Sequence, residues 1–177
     1  MTDLAQTLHL AAPIIQAPMA GSQGYALAAA VCNAGGLGSI PAAMHTPDSL
    51  RAEILALREL TDKPFNVNFF AHQPPADNPA VLATWHQTLA PYYREFGLNP
   101  EQIPTGAGRA PFSAAFADVV EALKPAVVSF HFGLPDNELL QRVKNTGAQI
   151  WSSATTLDEA LWLEQHGVDA IIAQGLE

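Results

Sequence analysis

The residues most able to do chemistry in this sequence stand within or just after short apolar runs. Asn68 interrupts one apolar run, His131 lies between two phenylalanines, and Gln174 follows the last run. A buried amide that finds no hydrogen-bond partner costs about 1 to 3 kcal/mol. A neutral imidazole can donate a hydrogen bond to an anion or carry a proton near neutral pH. These side chains predict a polar site that can hydrogen-bond a ligand.

Each of these residues also has a purely structural interpretation. Asn68 could bond a neighbouring loop, His131 could be a satisfied core histidine, and Gln174 could stand in a solvated turn. No sequence pattern links Ser152 or Ser153 to a His/Asp pair, so a hydrolase triad is not indicated. The remaining histidines show no HExxH or similar ligand spacing, so no metal site is predicted.

Six apolar runs bounded by turn residues recur along the chain, and most are followed by an amphipathic segment. They begin at Pro13, Leu37, Pro64, Ala126, Ala148 and Val168. Repeated strand and helix segments at near-constant spacing predict a parallel α/β architecture. The spacing alone leaves two choices, a doubly wound sheet and a (β/α)8 barrel. The turn at 17–21 lacks the G-x-G-x-x-G pattern of a dinucleotide fold, which favours the TIM barrel.

In a parallel barrel, chemistry takes place at the carboxyl ends of the strands. The polar residues there are few: Gln16, Asn66, Asn68, Ser129, His131, Ser152, Ser153, Gln174 and Glu177. Complete barrels usually need about 200 residues or more, so 177 residues predict a partial barrel with about six of eight strands. The whole of 1–177 is expected to be the amino-terminal part of one such domain, with a helical insertion at about 71–124.

Composition limits the possible partners. Eight Lys and Arg residues against 17 Asp and Glu give a formal charge of -9, which would repel a nucleic-acid backbone. The single cysteine, Cys32, excludes an internal disulfide and fits a reducing cytosol. There is no run of about 18 apolar residues to span a membrane. We expect a soluble, cytoplasmic protein whose oligomeric state the sequence does not indicate.

An ordered set of motifs extends through nearly the whole chain. The motifs are Ala17-Pro18-Met19-Ala20-Gly21, Asn33-Ala34-Gly35-Gly36-Leu37-Gly38, Phe65-Asn66-Val67-Asn68-Phe69, Ser129-Phe130-His131-Phe132-Gly133 and Ala173-Gln174-Gly175-Leu176-Glu177. Together they resemble the nitronate monooxygenase family, also called 2-nitropropane dioxygenase-like. No single motif is decisive, but the ordered set is specific.

The resemblance implies an FMN-dependent (β/α)8 barrel that oxidises alkyl nitronates with O2 to a carbonyl compound and nitrite. It also implies roles for individual residues. His131 would line the substrate pocket. The cofactor would be bound by Pro18, Met19, Ala20 and Gly21 against the isoalloxazine ring, and by hydrogen bonds from Asn68 and Gln174.

The sequence departs from the family pattern at its carboxyl end. In the family, the turn continues past a residue such as Glu177 into Ala-Gly-Gly-His, whose histidine is the expected catalytic base. The loops that commonly bind the flavin phosphate are absent as well. We therefore expect this chain alone to be truncated, to bind FMN poorly and to be inactive. The alternatives are an NAD(P)H-dependent FMN quinone or enoyl reductase on the same barrel, and a non-enzymatic partial-barrel fragment.

Overall fold

The computed structural model describes residues 4–74, 76, 78–99 and 109–175, so the predicted boundary residue Glu177 lies outside it. Its strands are β1 (Gly38–Pro41), β2 (Phe65–Phe70), β3 (Val127–His131), β4 (Gln149–Ala154) and β5 (Ala170–Ala173). Its α-helices are α1 (Leu4–Thr7), α2 (Tyr25–Asn33), α3 (Pro47–Leu60), α4 (Pro79–Glu95), α5 (Ala114–Leu123), α6 (Asn137–Asn145) and α7 (Leu157–Gln165). A short 3-10 helix follows β1 at Ala42–Met44.

The strands form one parallel sheet whose spatial order is the chain order, β1-β2-β3-β4-β5. A doubly wound sheet reverses its strand order part-way, whereas a barrel adds each new strand on the same side. The order therefore resolves the choice that the spacing left open. The register places Ser39 opposite Asn66, and Asn68 opposite Ser129.

The first predicted strand, at 13–18, is reduced to a single parallel bridge between Ile15 and Leu37. Two hydrogen bonds flank the bridge, from Leu37 N to Ile14 O and from Gln16 N to Leu37 O, both 2.9 Å. Pro13 and Pro18 bound the segment and have no N–H to donate, so the ladder cannot extend. Among the described residues, the six predicted strand segments are thus five strands and one bridged segment.

Side chains on β2 alternate between two environments. Phe65, Val67 and Phe69 belong to the main apolar core, where the Phe69 ring lies 4.7 Å from that of Phe112 between centroids. The intervening residues, Asn66 and Asn68, line a cavity at the other face. Because successive side chains of a strand point to opposite faces, two asparagines spaced by two residues share one face.

The chain divides into two compact units, 1–72 with 109–177 and 73–108. Within the second unit α4 carries no buried residue and includes Pro91. Helix α5 belongs to the first unit, where it contacts α3 and α6 and buries Phe116 and Val120. The range predicted as an insertion, about 71–124, thus contains both a separate unit and a helix that packs in the main core.

Helix α7 begins with a capping box formed by Thr156 and Glu159. The Thr156 hydroxyl accepts from Glu159 N at 3.2 Å, and Glu159 Oε2 accepts from Thr156 N at 3.2 Å. The same carboxylate oxygen accepts from Thr155 N at 2.6 Å and from the Thr155 hydroxyl at 2.8 Å. These hydrogen bonds, those of Thr155 first, hold the pKa of the Glu159 carboxyl below its ordinary value of 4.5.

Glu159→Gln is expected to remove an acid-dependent part of the stability. A carboxyl whose pKa is depressed by folding stabilises the protein above its unfolded pKa and loses that contribution as the pH falls through the folded pKa. The stability difference between wild type and variant should therefore be present at pH 7 and shrink below about pH 4.5. Denaturant unfolding across this pH range measures it. Glu164→Gln, at another exposed position of α7, is the control, and the same pH dependence in both variants would contradict the assignment.

Candidate functional site

A cavity of about 540 Å³ opens at the carboxyl ends of the strands. Its walls come from the bridged first segment and from the strands β2, β3, β4 and β5. The lining residues are Ile15, Gln16, Ala17, Pro18, Asn66, Asn68, Phe70, Ser129, Phe130, His131, Trp151, Ser153, Ile172, Ala173 and Gln174. Its size lies within the roughly 300–1,000 Å³ typical of small-molecule sites. The cavity combines apolar walls with a few polar side chains, as such sites do.

Two pairs of polar side chains bridge neighbouring strands at this cavity, which Asn66, Asn68 and Ser129 line. Asn66 Nδ2 donates to Ser39 Oγ at 3.1 Å, and Asn68 Nδ2 donates to Ser129 Oγ at 3.0 Å. Each pair joins residues that are directly opposite in the parallel register. All four side chains are buried. The hydrogen bonds fix the orientation of both amide groups.

The amide groups of Gln16 and Asn66 are only partly satisfied. Gln16 Oε1 accepts from Ser39 N at 3.1 Å. Gln16 Nε2 and Asn66 Oδ1 are buried and have no partner among the described residues. A buried polar atom without a partner costs about 1 to 3 kcal/mol, which a ligand or water can offset. The cavity thus offers one spare donor and one spare acceptor.

His131 ends β3 and is joined to β4 through its side chain. Its Nδ1 lies 2.5 Å from Ser153 Oγ. Burial lowers the pKa of the His131 imidazole below its ordinary value of 6.5, which favours the neutral form of the ring. Two rings pack against it, Phe70 at 5.9 Å and Phe132 at 4.0 Å between centroids, and the His72 ring lies 6.0 Å from that of Phe132. The arrangement places a neutral hydrogen-bonding group against an aromatic wall.

A strained turn follows His131. Phe132 has φ 69° and Gly133 has φ 90°, so two consecutive residues adopt left-handed backbone conformations. This conformation disfavours a bulky residue such as phenylalanine. The Ser152 hydroxyl lies 2.9 Å from Gly133 O and 3.3 Å from Phe130 O, and donates toward these carbonyls on either side of the turn. Ser152 therefore holds the backbone from which His131 projects.

A family model described as nitronate monooxygenase matches residues 2–177. The chain belongs to the nitronate monooxygenase family. Among curated relatives, it is 47% identical to a nitronate monooxygenase of Paraburkholderia phytofirmans, covering 98% of this chain and 48% of the relative. It is 42% identical to one of Pseudomonas aeruginosa, covering 100% of this chain and 51% of the relative. The chain spans about half the length of these nitronate monooxygenases.

Solved structures agree with this membership of the nitronate monooxygenase family. A nitroalkane oxidase from Streptomyces ansochromogenes superimposes with a TM-score of 0.83 at 40% identity, covering 97% of this chain and 48% of that one. FabK from Thermotoga maritima superimposes with a TM-score of 0.68 at 28% identity, covering 96% and 42%. With the sequential parallel sheet, these similarities identify the chain as a partial (β/α)8 barrel.

The structure places the predicted site residues of this nitronate monooxygenase homologue in two groups. Pro18, Asn68, His131 and Gln174 all line the cavity. The other three predicted cofactor residues, Met19, Ala20 and Gly21, lie in the turn beyond Pro18 and are not part of the lining. Met19 is 52% exposed, and Gly21 has φ 81°, a conformation that glycine adopts without strain.

Some site residues were not singled out by the sequence. Gln16, Asn66 and Ser153 belong to the polar strand-end set, but polarity alone does not separate them from solvated turn residues. The two-residue spacing of Asn66 and Asn68 was the available signal, since it puts both on one face. No motif or spacing in the sequence pointed to Gln23 as a residue near the site. Its Nε2 donates to Ala17 O at 2.9 Å and so braces the turn next to Pro18.

A second cavity, of about 530 Å³, adjoins the first and shares His131, Ser153 and Gln174 with it. Its remaining walls include Glu159 and Trp162 of α7. Across the described residues, no group of three or more His, Cys, Asp or Glu side chains could hold a metal ion. In the same part of the chain, no helix combines the length and the apolar character needed to cross a membrane.

Proposed function

We propose that this protein is an FMN-dependent nitronate monooxygenase that oxidises alkyl nitronates with O2 to a carbonyl compound and nitrite. The observation that carries the proposal is a strand-end cavity that His131 lines together with Gln16 and Asn66, whose amides leave one donor and one acceptor without a partner among the described residues. Membership of the nitronate monooxygenase family over 2–177 supports it. The substrates are then a small nitronate anion and O2, in the cytoplasm, with no nucleic-acid or membrane partner.

The cavity fits the isoalloxazine ring of FMN. That ring system is flat and largely apolar, and its pyrimidine edge carries an N–H donor between carbonyl acceptors. Asn66 Oδ1 and Gln16 Nε2 are a buried acceptor and a buried donor that lack partners among the described residues. Asn68, Gln174 and the turn from Pro18 to Gly21 would complete the binding set. When bound, FMN supplies the redox chemistry.

The residues of this chain would bind and orient the nitronate. A neutral imidazole with one N–H can donate a hydrogen bond to a nitronate oxygen, where the negative charge is concentrated. Phe70 and Phe132 pack around the His131 ring and limit its access to water, and the lower local dielectric strengthens the interaction with an anion.

The second candidate is an NAD(P)H-dependent FMN quinone or enoyl reductase. Similarity to FabK at 28% identity is the observation in its favour. The identities of 40% to a nitroalkane oxidase and 47% to a nitronate monooxygenase give stronger support to nitronate oxidation. A non-enzymatic role as a partial barrel would require that neither activity is present.

Complementation tests the proposal. In one preparation the 177-residue chain is expressed alone. In the other it is expressed together with the portion of the Paraburkholderia nitronate monooxygenase that it does not match. This second preparation is called the complemented protein. We expect the complemented protein to contain FMN, to consume O2 and to release nitrite from propyl nitronate. The chain alone is expected to bind FMN weakly and to release no nitrite. Oxidation of NADH with a quinone, without nitrite release, would favour the reductase instead.

A further inference from the structure

Ser153 is the only described residue that hydrogen-bonds the His131 ring. Its Oγ lies 2.5 Å from Nδ1, and no described residue hydrogen-bonds Nε2. The Ser153 hydroxyl in turn has no other hydrogen-bond partner in the described ranges. Both residues line both cavities, at the place where the cavities adjoin. The pair is therefore an isolated unit whose protons can be assigned.

We propose that Ser153 is a positioning residue that holds His131 in the Nε2–H tautomer and so presents an N–H donor to the cavity. The tautomer assignment stands on the geometry of the pair. Its use in binding a nitronate rests on the proposed function.

The assignment follows from counting protons. A neutral imidazole has one N–H and one lone pair, and the serine hydroxyl has one proton to donate. If the Ser153 hydroxyl donates to Nδ1, its proton lies in that hydrogen bond, and the one ring proton must lie on Nε2. If Nδ1–H donates instead, the hydroxyl proton finds no acceptor in the described residues. Nε2 would then present a lone pair to an anion, which is repulsive.

The charged and titratable neighbours leave this arrangement undisturbed. Glu159 shares the second cavity with His131, but its Oε2 accepts hydrogen bonds from Thr155 and Thr156 at the start of α7. His72 meets Phe132 edge-on rather than hydrogen-bonding the His131 ring. The lowered pKa of His131 has desolvation by burial as its cause. Burial thus favours the neutral ring, which is the form that has two tautomers.

NMR spectroscopy of the 177-residue chain, with ¹⁵N-labelled histidines, tests the proposal without flavin or substrate. Long-range proton–nitrogen correlations of ¹⁵N-histidine report the tautomer of each ring, and the His131 signals are assigned by their loss in His131→Gln. We expect His131 to be predominantly Nε2–H at pH 8. In Ser153→Ala the ratio of Nε2–H to Nδ1–H should fall about fivefold, because a hydrogen bond of about 1 kcal/mol is lost. Ser153→Thr retains a hydroxyl and should restore the ratio.

His45 is the internal control, since its Nδ1 lies 3.1 Å from the Ser49 hydroxyl outside the cavity. Its tautomer ratio should be the same in all variants. A predominantly Nδ1–H His131 in the wild-type chain would overturn the proposal, even if the alanine variant failed to fold. An unchanged ratio of Nε2–H to Nδ1–H in Ser153→Ala would also overturn it. So would an equal fall of this ratio in Ser153→Ala and Ser153→Thr. These spectra do not depend on nitronate turnover. The tautomer assignment and the proposed function can therefore be contradicted independently of each other.

Discussion

Replacing His131 by leucine is expected to lower kcat/KM for propyl nitronate by about tenfold to a hundredfold in the complemented protein. Leucine retains the apolar bulk against Phe70 and Phe132 but removes the N–H donor. Hydrogen bonds to charged groups are worth about 1.5 to 3 kcal/mol, and each 1.4 kcal/mol is a factor of ten. Nitrite release under steady-state conditions measures the change. FMN content should remain near wild type, because His131 is assigned to the substrate.

His131→Gln is the informative companion, since an amide N–H can partly replace the imidazole donor. It should recover part of the lost kcat/KM. His86→Leu changes an exposed histidine of the other compact unit, and it should leave turnover unaltered. Wild-type kcat/KM in His131→Leu would exclude His131 from substrate binding. Loss of FMN together with activity would instead assign His131 to the cofactor.

Gly38→Ala is expected to destabilise the fold by about 3 kcal/mol, because β1 packs directly against α2 at this position. A Cβ atom at Gly38 would stand 2.7 Å from Cys32 Sγ and closer still to the carbonyl oxygen of Ala28. Backbone in a helix cannot rotate away as a long side chain can, so α2 or β1 must shift. Gly38 N also donates to Cys32 Sγ at 3.3 Å, and this contact would be disturbed. Denaturant unfolding of the two chains gives the difference in free energy.

Gly175→Ala is the control for this effect, since a Cβ at Gly175 would meet no atom within 4 Å among the described residues. It should change the free energy of unfolding by less than about 0.5 kcal/mol. Equal stability of Gly38→Ala and wild type would show that α2 and β1 can separate without cost. A shift at Gly38 also moves Ser39, so FMN binding should weaken in the same variant.

Much of the sheet could be predicted from sequence because its strands are short apolar runs. The predicted runs that begin at Pro64 and Ala148 start within one residue of the observed strands β2 and β4. Aromatic and β-branched residues bounded by turn residues are typical of strands, so these runs are easily recognised. The segment at 13–18 has similar composition but flanking prolines, and only Ile15 bridges to its neighbour. Composition identified the segment, but the missing N–H groups limited its pairing.

The site was less predictable than the sheet. The sequence could place Asn68 and His131 at strand ends, and the structure brings both to one cavity. It could not indicate that Asn68 pairs with Ser129, since that depends on the register of two strands about 60 residues apart in sequence. Nor could it show that Ser153, rather than Ser152, meets His131. Which of two adjacent serines faces the cavity is fixed by the pleat of β4.

The sequential strand order has a consequence for how the chain folds during synthesis. From β2 to β5, each strand pairs with the strand that precedes it in the sequence. A growing polypeptide can therefore add each new strand to an edge that has already left the ribosome, whereas a sheet with central early strands must wait for later partners on both sides. Domains generally form from the amino terminus during translation. Assembly of this sheet can proceed in the direction of translation, with Asn66, Asn68 and His131 coming together before β5 is made.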